Sequence, residues 1–129
     1  MKSIKSFLGL LICVLLFSAC QKPETNCRDS ILGTYTGTII DLSGDTSSIT
    51  TIVNTGNDEK DLLIMIESTT NSFPITTFSG NLNADCTVII VPEQAIGSAF
   101  AASGNLLVDG TTINGTIQGD TYAKINVSK

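Results

Sequence analysis

The sequence predicts an all-β protein: one small domain of eight short antiparallel strands that close into an up-and-down meander barrel. Three observations support this prediction. No stretch after residue 26 repeats its apolar residues with a helical period, Ile and Val far outnumber Leu and Met, and turn-forming residues recur about every 10 residues. A chain of 129 residues leaves room for one core of ordinary size. A β-sandwich is the alternative all-β architecture.

The strands are predicted from runs of alternating apolar and polar residues that lie between the turn signals. In the last run, for example, Ala123, Ile125 and Val127 face one side, while Lys124 and Asn126 face the other. Closing such a meander into a barrel removes both sheet edges. The predicted strands are residues 32–41, 47–54, 61–68, 74–82, 86–91, 99–108, 111–118 and 121–128.

Two connections can be predicted in more detail. Asp109-Gly110 lies between two patterned runs and predicts a two-residue hairpin, because both residue types tolerate positive φ. Pro92 lacks an N–H for a sheet ladder, so we expect it to end the fifth strand. Residues 93–98 would then form the longest connection.

A resemblance to a known family supports the barrel prediction. Residues 31–38 read Ile-Leu-Gly-Thr-Tyr-Thr-Gly-Thr and resemble the opening strand of small bacterial lipocalin-like lipoproteins, with Tyr35 where true lipocalins have Trp. Residues 91–94 and 103–106 are similar to their later half. The resemblance spans most of residues 27–129 and implies a lipocalin-like fold, not a function. We expect Tyr35 to pack at one end of the barrel.

The first 19 residues have the features of a secretory leader. Lys2 and Lys5 precede an apolar run at 7–17 that is too short to span a bilayer, which takes roughly 20 residues. An ordinary signal peptide cleaved near Ala19, or a short buried helix, is the alternative interpretation of this segment.

The end of the leader, Leu16-Phe17-Ser18-Ala19-Cys20, resembles a bacterial lipobox, with Phe17 where Leu is commonest. This resemblance implies a lipoprotein signal peptide at 1–19 and a diacylglycerol on the Cys20 thiol, and the freed amino group is often acylated as well. Two or three acyl chains would anchor the protein firmly in a membrane.

The residues after the lipobox predict a tether and a location. Residues 20–26 are polar apart from Cys20 and Pro23, so we expect a lipidated, flexible tether before the folded domain at 27–129. By the sorting rule of enteric bacteria, Gln21 rather than Asp implies the outer membrane. Lys22 and Glu24 resemble the charged tethers of surface-exported lipoproteins, which leaves both a periplasm-facing and a cell-surface orientation open.

Two cysteines remain once Cys13 leaves with the leader and Cys20 carries lipid. Cys27 and Cys86 lack a C-x-x-C spacing, and without His they make a poor zinc site. A disulfide and a pair of free thiols remain as alternatives. The barrel favours the disulfide, because Cys27 precedes the first strand and Cys86 begins the fifth, and odd-numbered strands all start at the same end. An extended segment 27–31 would then cross and close that end.

Composition excludes several functions. The net charge is −5, which argues against nucleic acid as a partner, and the absence of His excludes His-based catalysis and His-ligated metals. The acidic pair Asp41/Asp45 and the acidic cluster at 58–61 lack a calcium-loop spacing. We therefore expect no enzyme activity and no cofactor.

Asp29-Ser30-Ile31 resembles the acceptor pattern of a bacterial O-glycosylation system, which makes Ser30 a candidate modification site.

The functional prediction is an outer-membrane lipoprotein with a non-catalytic barrel. The large apolar residues are numerous enough to fill a small barrel, which favours a structural or interaction module that contacts other envelope proteins. The alternative is a lipocalin-like protein that binds a small apolar ligand in its mouth. An enzyme is the remote third hypothesis.

Overall fold

The computed structural model describes residues 27–57, 61–70, 75–97, 99–119 and 122–129. The predicted leader and tether lie outside these residues. The strands form one closed antiparallel barrel in chain order, so the predicted eight-stranded up-and-down barrel is confirmed and a sandwich is excluded. The elements are the helix α1 (Cys27–Ile31) and the strands β1 (Gly33–Ile40), β2 (Thr46–Thr55), β3 (Asp61–Ser68), β4 (Thr76–Leu82), β5 (Val88–Ile96), β6 (Ala99–Asp109), β7 (Thr112–Gln118) and β8 (Tyr122–Ser128).

The barrel closes where the last strand meets the first. In the β1–β8 ladder, Gly37 lies opposite Val127 and Ile39 opposite Ile125. Ile125 and Val127 are buried while Lys124 on the same strand is exposed, as the alternating pattern predicts. Odd-numbered strands begin at one end of the barrel, which we call the helix end because α1 lies there. The opposite end is called the loop end.

The interior is an apolar core to which every strand contributes. Alternate residues of each strand point inward, and the pleat places the intervening polar residues outside. Tyr35 and Phe78 are aromatic members of this core. Among the residues whose side chains the structure describes, the buried apolar ones are Ile31, Tyr35, Ile39, Ile49, Val53, Leu62, Ile64, Ile66, Phe78, Leu82, Ile89, Val91, Ala102, Leu106, Ile113, Ile117, Ile125 and Val127.

Two inward-facing glycines allow adjacent strands to approach closely. A Cβ on Gly37 would overlap the backbone carbonyl oxygen of Asn126 on β8, and one on Gly115 would overlap that of Asn105 on β6. Glycines at such positions let strands bend sharply enough for a small barrel to close.

The prediction that Pro92 ends the fifth strand is wrong. β5 continues to Ile96, and its register against β6 shifts between Val91 and Gln94. Pro92 and Glu93 are both exposed in this β-bulge. A bulge is one of the few places where a sheet tolerates a proline, because the bulged residue is already outside the ladder.

The hairpin between β6 and β7 is present, with its turn one residue later than the pattern suggested. Asp109 still pairs with Thr112, so the two turn residues are Gly110 and Thr111. Gly110 has a φ of +58°, the left-handed conformation that the pattern required.

The segment before β1 is a helix, not the extended strand-like crossing that the sequence suggested. α1 has five residues and continues into a last bond from the Leu32 N–H to the Arg28 carbonyl oxygen at 3.3 Å. A single turn has no periodicity that a sequence pattern could reveal. Its conformation depends on contacts with the barrel, since an isolated helix of this length is unstable in water.

Candidate functional site at the helix end of the barrel

A disulfide fastens α1 to the opposite wall of the barrel. Cys27, the first residue of α1, is bonded to Cys86, and their Cα atoms are 6.0 Å apart. β1 and β5 lie four strands apart in a barrel of eight and therefore face each other. The predicted pairing of Cys27 with Cys86 is thus present, and it closes the helix end as expected.

Cys86 is held in place by the turn between β4 and β5. The side-chain oxygen of Asn83 accepts hydrogen bonds from the N–H groups of Thr87 and Val88 at 2.9 and 3.0 Å. The Cys86 N–H donates to the Asn83 carbonyl oxygen at 3.1 Å. Cys86 adopts a φ of +57°, which is uncommon for a residue with a side chain. The turn therefore presents its sulfur toward α1.

Tyr35 packs beneath α1, in agreement with the prediction that it lies at one end of the barrel. Its ring is fully buried, and its hydroxyl donates a hydrogen bond of 2.6 Å to the carbonyl oxygen of Ile31. Burial raises the pKa of the Tyr35 phenol above its ordinary value, because the phenolate would lose hydration. The phenol thus serves as a neutral hydrogen-bond donor to the end of α1.

Lys129 contributes to the same site, and sequence analysis did not identify it. Its ammonium donates to the carbonyl oxygens of Ser30 and Leu32, both at 2.8 Å, and lies 4.9 Å from the centroid of the Tyr35 ring. A cation is favourable beside the free carbonyls that end a helix and over the face of an aromatic ring. The residue follows the last strand and belongs to no motif, so no sequence signal marked it.

Of the remaining predicted site residues, Ser30 belongs to α1 and Cys20 does not belong to the part of the chain that the structure describes. Ser30 is exposed, and its hydroxyl donates to the Cys27 carbonyl oxygen at 2.7 Å. Among the described residues no helix is long and apolar enough to cross a membrane.

The acidic pair Asp41/Asp45 organises the turn between β1 and β2. The Asp41 carboxylate accepts hydrogen bonds from the Ser43 hydroxyl at 2.8 Å and from the Asp45 N–H at 2.9 Å. These bonds, that of Ser43 above all, hold the pKa of the Asp41 carboxyl below its ordinary value. In the part of the chain that the structure describes, no three acidic or cysteine side chains converge as metal ligands would.

Comparison with known proteins adds information on the fold alone. No protein-family model matches the chain, and no curated protein matches it. Among solved structures, a redesigned β-barrel superposes with a TM-score of 0.56, covering 82% of this chain and 96% of that chain at 14% sequence identity. At this level of identity the similarity is evidence of a shared closed barrel and of nothing about function.

Proposed function

We propose that the protein is an outer-membrane lipoprotein whose small barrel acts as a non-catalytic structural or interaction module of the cell envelope. The anchor rests on the lipobox-like residues 16–20. The proposal of a structural or interaction module rests on the packed interior, to which large apolar side chains such as Tyr35 and Phe78 contribute. A barrel filled by its own side chains offers its outer surface and loops for contact.

The position of Cys27 at the helix end supports an orientation for this module. The chain enters the fold at Cys27, so an anchor on Cys20 would hold the helix end toward the membrane. The loop end would then point away from it. Leu42 in the β1–β2 turn and Ile75 just before β4 lie at this loop end, and they are 67% and 68% exposed. Such exposed apolar side chains are candidates for contact with an envelope protein.

The binding of a small apolar ligand is the second candidate function. One observation favours it: the Thr51 hydroxyl is buried and has no hydrogen-bond partner among the described residues. Ligand pockets are largely apolar with a few polar groups of this kind. Native mass spectrometry of protein extracted from the membrane distinguishes the two functions. A bound small molecule at 1:1 stoichiometry would favour the ligand-binding alternative, and protein of the lipidated mass alone would favour the interaction module.

The anchor is tested by labelling cells with a radioactive fatty acid. A Cys20→Ser variant of the full chain is expected to accumulate as an unprocessed precursor without label. Cys13→Ser is the matched control, because that cysteine lies inside the leader, and it should be processed and labelled normally. If Cys20→Ser still carries label or still fractionates with the outer membrane, the proposed anchor is wrong.

Two further features of the proposal have their own measurements. Protease treatment of intact cells distinguishes surface display, in which the domain is digested, from a periplasm-facing orientation, in which it is protected. The intact mass of the mature protein tests Ser30 as a glycosylation site. A Ser30→Ala variant should lose any added hexose mass, and a wild-type mass without such an addition would remove this site from the proposal.

A further inference from the structure

α1 is attached to the barrel at each of its ends. At its C-terminal end the chain passes through Leu32 to Gly33, whose φ of +137° is a conformation that residues with side chains rarely adopt. At its N-terminal end the Cys27–Cys86 bond joins it to the β4–β5 turn. Gly33 therefore lies where a hinge between α1 and β1 would have to be, and the disulfide lies at the end of α1 away from that hinge.

Between these two attachments α1 docks on the barrel through side-chain packing and hydrogen bonds. Ile31 inserts its side chain into the core and is 2% exposed. Tyr35 and Lys129 bond to carbonyl oxygens at the C-terminal end of the helix. A single helical turn does not persist on its own, so α1 remains helical only while it stays docked.

The barrel itself does not depend on α1 for its hydrogen bonding. All eight strands pair with both neighbours, and the ladder from β1 to β8 closes the ring without a contribution from residues 27–31. Cys27 and Cys86 are both only partly buried, so neither residue is fully enclosed by the core. Breaking the disulfide would thus remove one attachment of α1 and no strand pairing.

We propose that the Cys27–Cys86 disulfide is a redox latch. While it is oxidised, α1 covers the helix end. When a dithiol reductant reduces it, α1 swings about Gly33, withdraws Ile31 from the core and exposes the apolar interior around Tyr35. This inference concerns residues 27–129 alone and does not rest on the proposed membrane anchor.

The reaction is an ordinary thiol–disulfide exchange. A thiolate of the reductant attacks one sulfur of the protein disulfide, which forms a mixed disulfide and releases the other cysteine as a thiolate. The second thiol of the reductant, once deprotonated, then closes a disulfide within the reductant and releases the first cysteine. Two electrons pass from the dithiol to the protein, and two protons convert both cysteines to thiols.

Hydrogen–deuterium exchange of the purified full chain, with and without dithiothreitol, tests the latch. After reduction, the peptide that contains α1 and Leu32 is expected to exchange about 10-fold faster or more, as locally opened segments do, while peptides from β6 and β7 keep their rates. The latch is rejected if the α1 peptide keeps its rate. It is also rejected if α1, β6 and β7 accelerate together, because that result means global unfolding.

Two variants complete the test. The double variant Cys27→Ser/Cys86→Ser should show the fast α1 exchange without reductant and no further change with it. Tyr122→Phe leaves Tyr35 as the only phenol in a chain with two tyrosines and no tryptophan. In that variant the pKa of Tyr35, measured by phenolate absorbance, should fall toward about 10 on reduction. A Tyr35 pKa that is the same in both redox states would contradict the opening.

Discussion

Thr51 is a polar side chain buried in the apolar interior of the barrel. It is 2% exposed and lies on the inner face of β2, where the register places it beside Tyr35 of β1 and Ile66 of β3. Its hydroxyl has no hydrogen-bond partner within the described residues. An unpaired hydroxyl in an apolar interior costs stability, because it has given up its hydrogen bonds to water.

We expect Thr51→Val to raise the free energy of unfolding by about 1 kcal/mol, since it removes this unpaired group with little change of shape. Val53→Thr is the matched control. It places a hydroxyl on the same inner face two residues away and should lower the free energy of unfolding by about 1–2 kcal/mol. Urea denaturation measures both. If Thr51→Val is less stable than the wild type, the hydroxyl has a bound partner inside the barrel, which would favour the ligand-binding function.

The turn at Asp41 allows a prediction about pH. Because hydrogen bonds lower the pKa of the Asp41 carboxyl in the folded protein, the ionised form favours folding. This contribution is complete above the ordinary aspartate pKa of about 4 and is lost as the pH falls through the lower, folded value. Removing the strongest donor with Ser43→Ala should move the Asp41 pKa up toward its ordinary value.

Carboxyl-detected NMR titration measures this shift directly. Ser48→Ala is the control, because Ser48 is an exposed serine of the adjacent strand whose hydroxyl is not among the groups that lower the Asp41 pKa. An Asp41 pKa that is equal in the wild type and in Ser43→Ala would mean that the backbone N–H groups of Ser43, Gly44 and Asp45 suffice to hold it low.

Among the strand pairs, β4 and β5 have the shortest ladder. Only Asn81 with Ile90 and Leu82 with Ile89 are in register. Beyond these two pairs, the side-chain amide of Gln94 replaces a backbone partner for Ser79 of β4. Its oxygen accepts from the Ser79 N–H at 2.9 Å and its nitrogen donates to the Ser79 carbonyl oxygen at 2.8 Å. The amide thus continues the sheet where the bulge has displaced the β5 backbone.

We expect Gln94→Ala to weaken the pairing between β4 and β5 locally. The exchange rate of the Ser79 amide proton should rise. The free energy of unfolding should fall by about 1–2 kcal/mol, because the two bonds to the Ser79 backbone are lost together with those to the Ser79 hydroxyl and the Pro92 carbonyl oxygen, all at exposed positions. Gln94→Glu keeps an acceptor for the Ser79 N–H but places a carboxylate oxygen against the carbonyl oxygens of Ser79 and Pro92, so it should be no more stable than Gln94→Ala. NMR-detected exchange provides the measurement. Equal exchange rates of the Ser79 amide proton in all three proteins would show that the Gln94 side chain does not stabilise the pairing between β4 and β5.

At the level of elements, the sequence was informative wherever a pattern is repeated along a strand. β3 was predicted at 61–68 and β7 at 111–118, within one residue of their observed limits. The errors occur where tertiary contacts decide. β5 continues past Pro92 because a bulge accommodates the proline and Gln94 restores the lost bonds, and α1 forms because a disulfide and Lys129 hold it. The sequence predicted the disulfide but not the hydrogen bonds of Gln94 and Lys129, because their partners are distant in the chain.

For the whole molecule, the main requirement is closure. Eight strands of seven to eleven residues must curve tightly enough for β8 to reach β1, and ideal flat strands do not. Gly37 lies within the β1–β8 ladder, and the backbone of Asn126 occupies the space that a side chain would need. The sequence showed Gly37 only as part of a Gly-Thr-Tyr-Thr-Gly run. The role of Gly37 depends on β8, which is distant in the chain, so the sequence could not show why a glycine is needed at this position.

Gly37→Ala should therefore disrupt closure itself. The added methyl group has to push β8 away, and because its neighbour is backbone and not a flexible side chain, we expect the free energy of unfolding to fall by about 3 kcal/mol, the upper range for overpacking. Thr36→Ala is the matched control: Thr36 is the preceding residue and is exposed on the outer face, so its replacement should change the free energy of unfolding by about 0.5 kcal/mol or less.

Urea denaturation, with amide exchange along β1 and β8, separates the two variants. Faster exchange in Gly37→Ala should concentrate in the β1–β8 ladder, since that is where the ring is forced open. Equal stability of Gly37→Ala and Thr36→Ala would mean that β8 can retreat without cost, and that closure does not depend on this glycine.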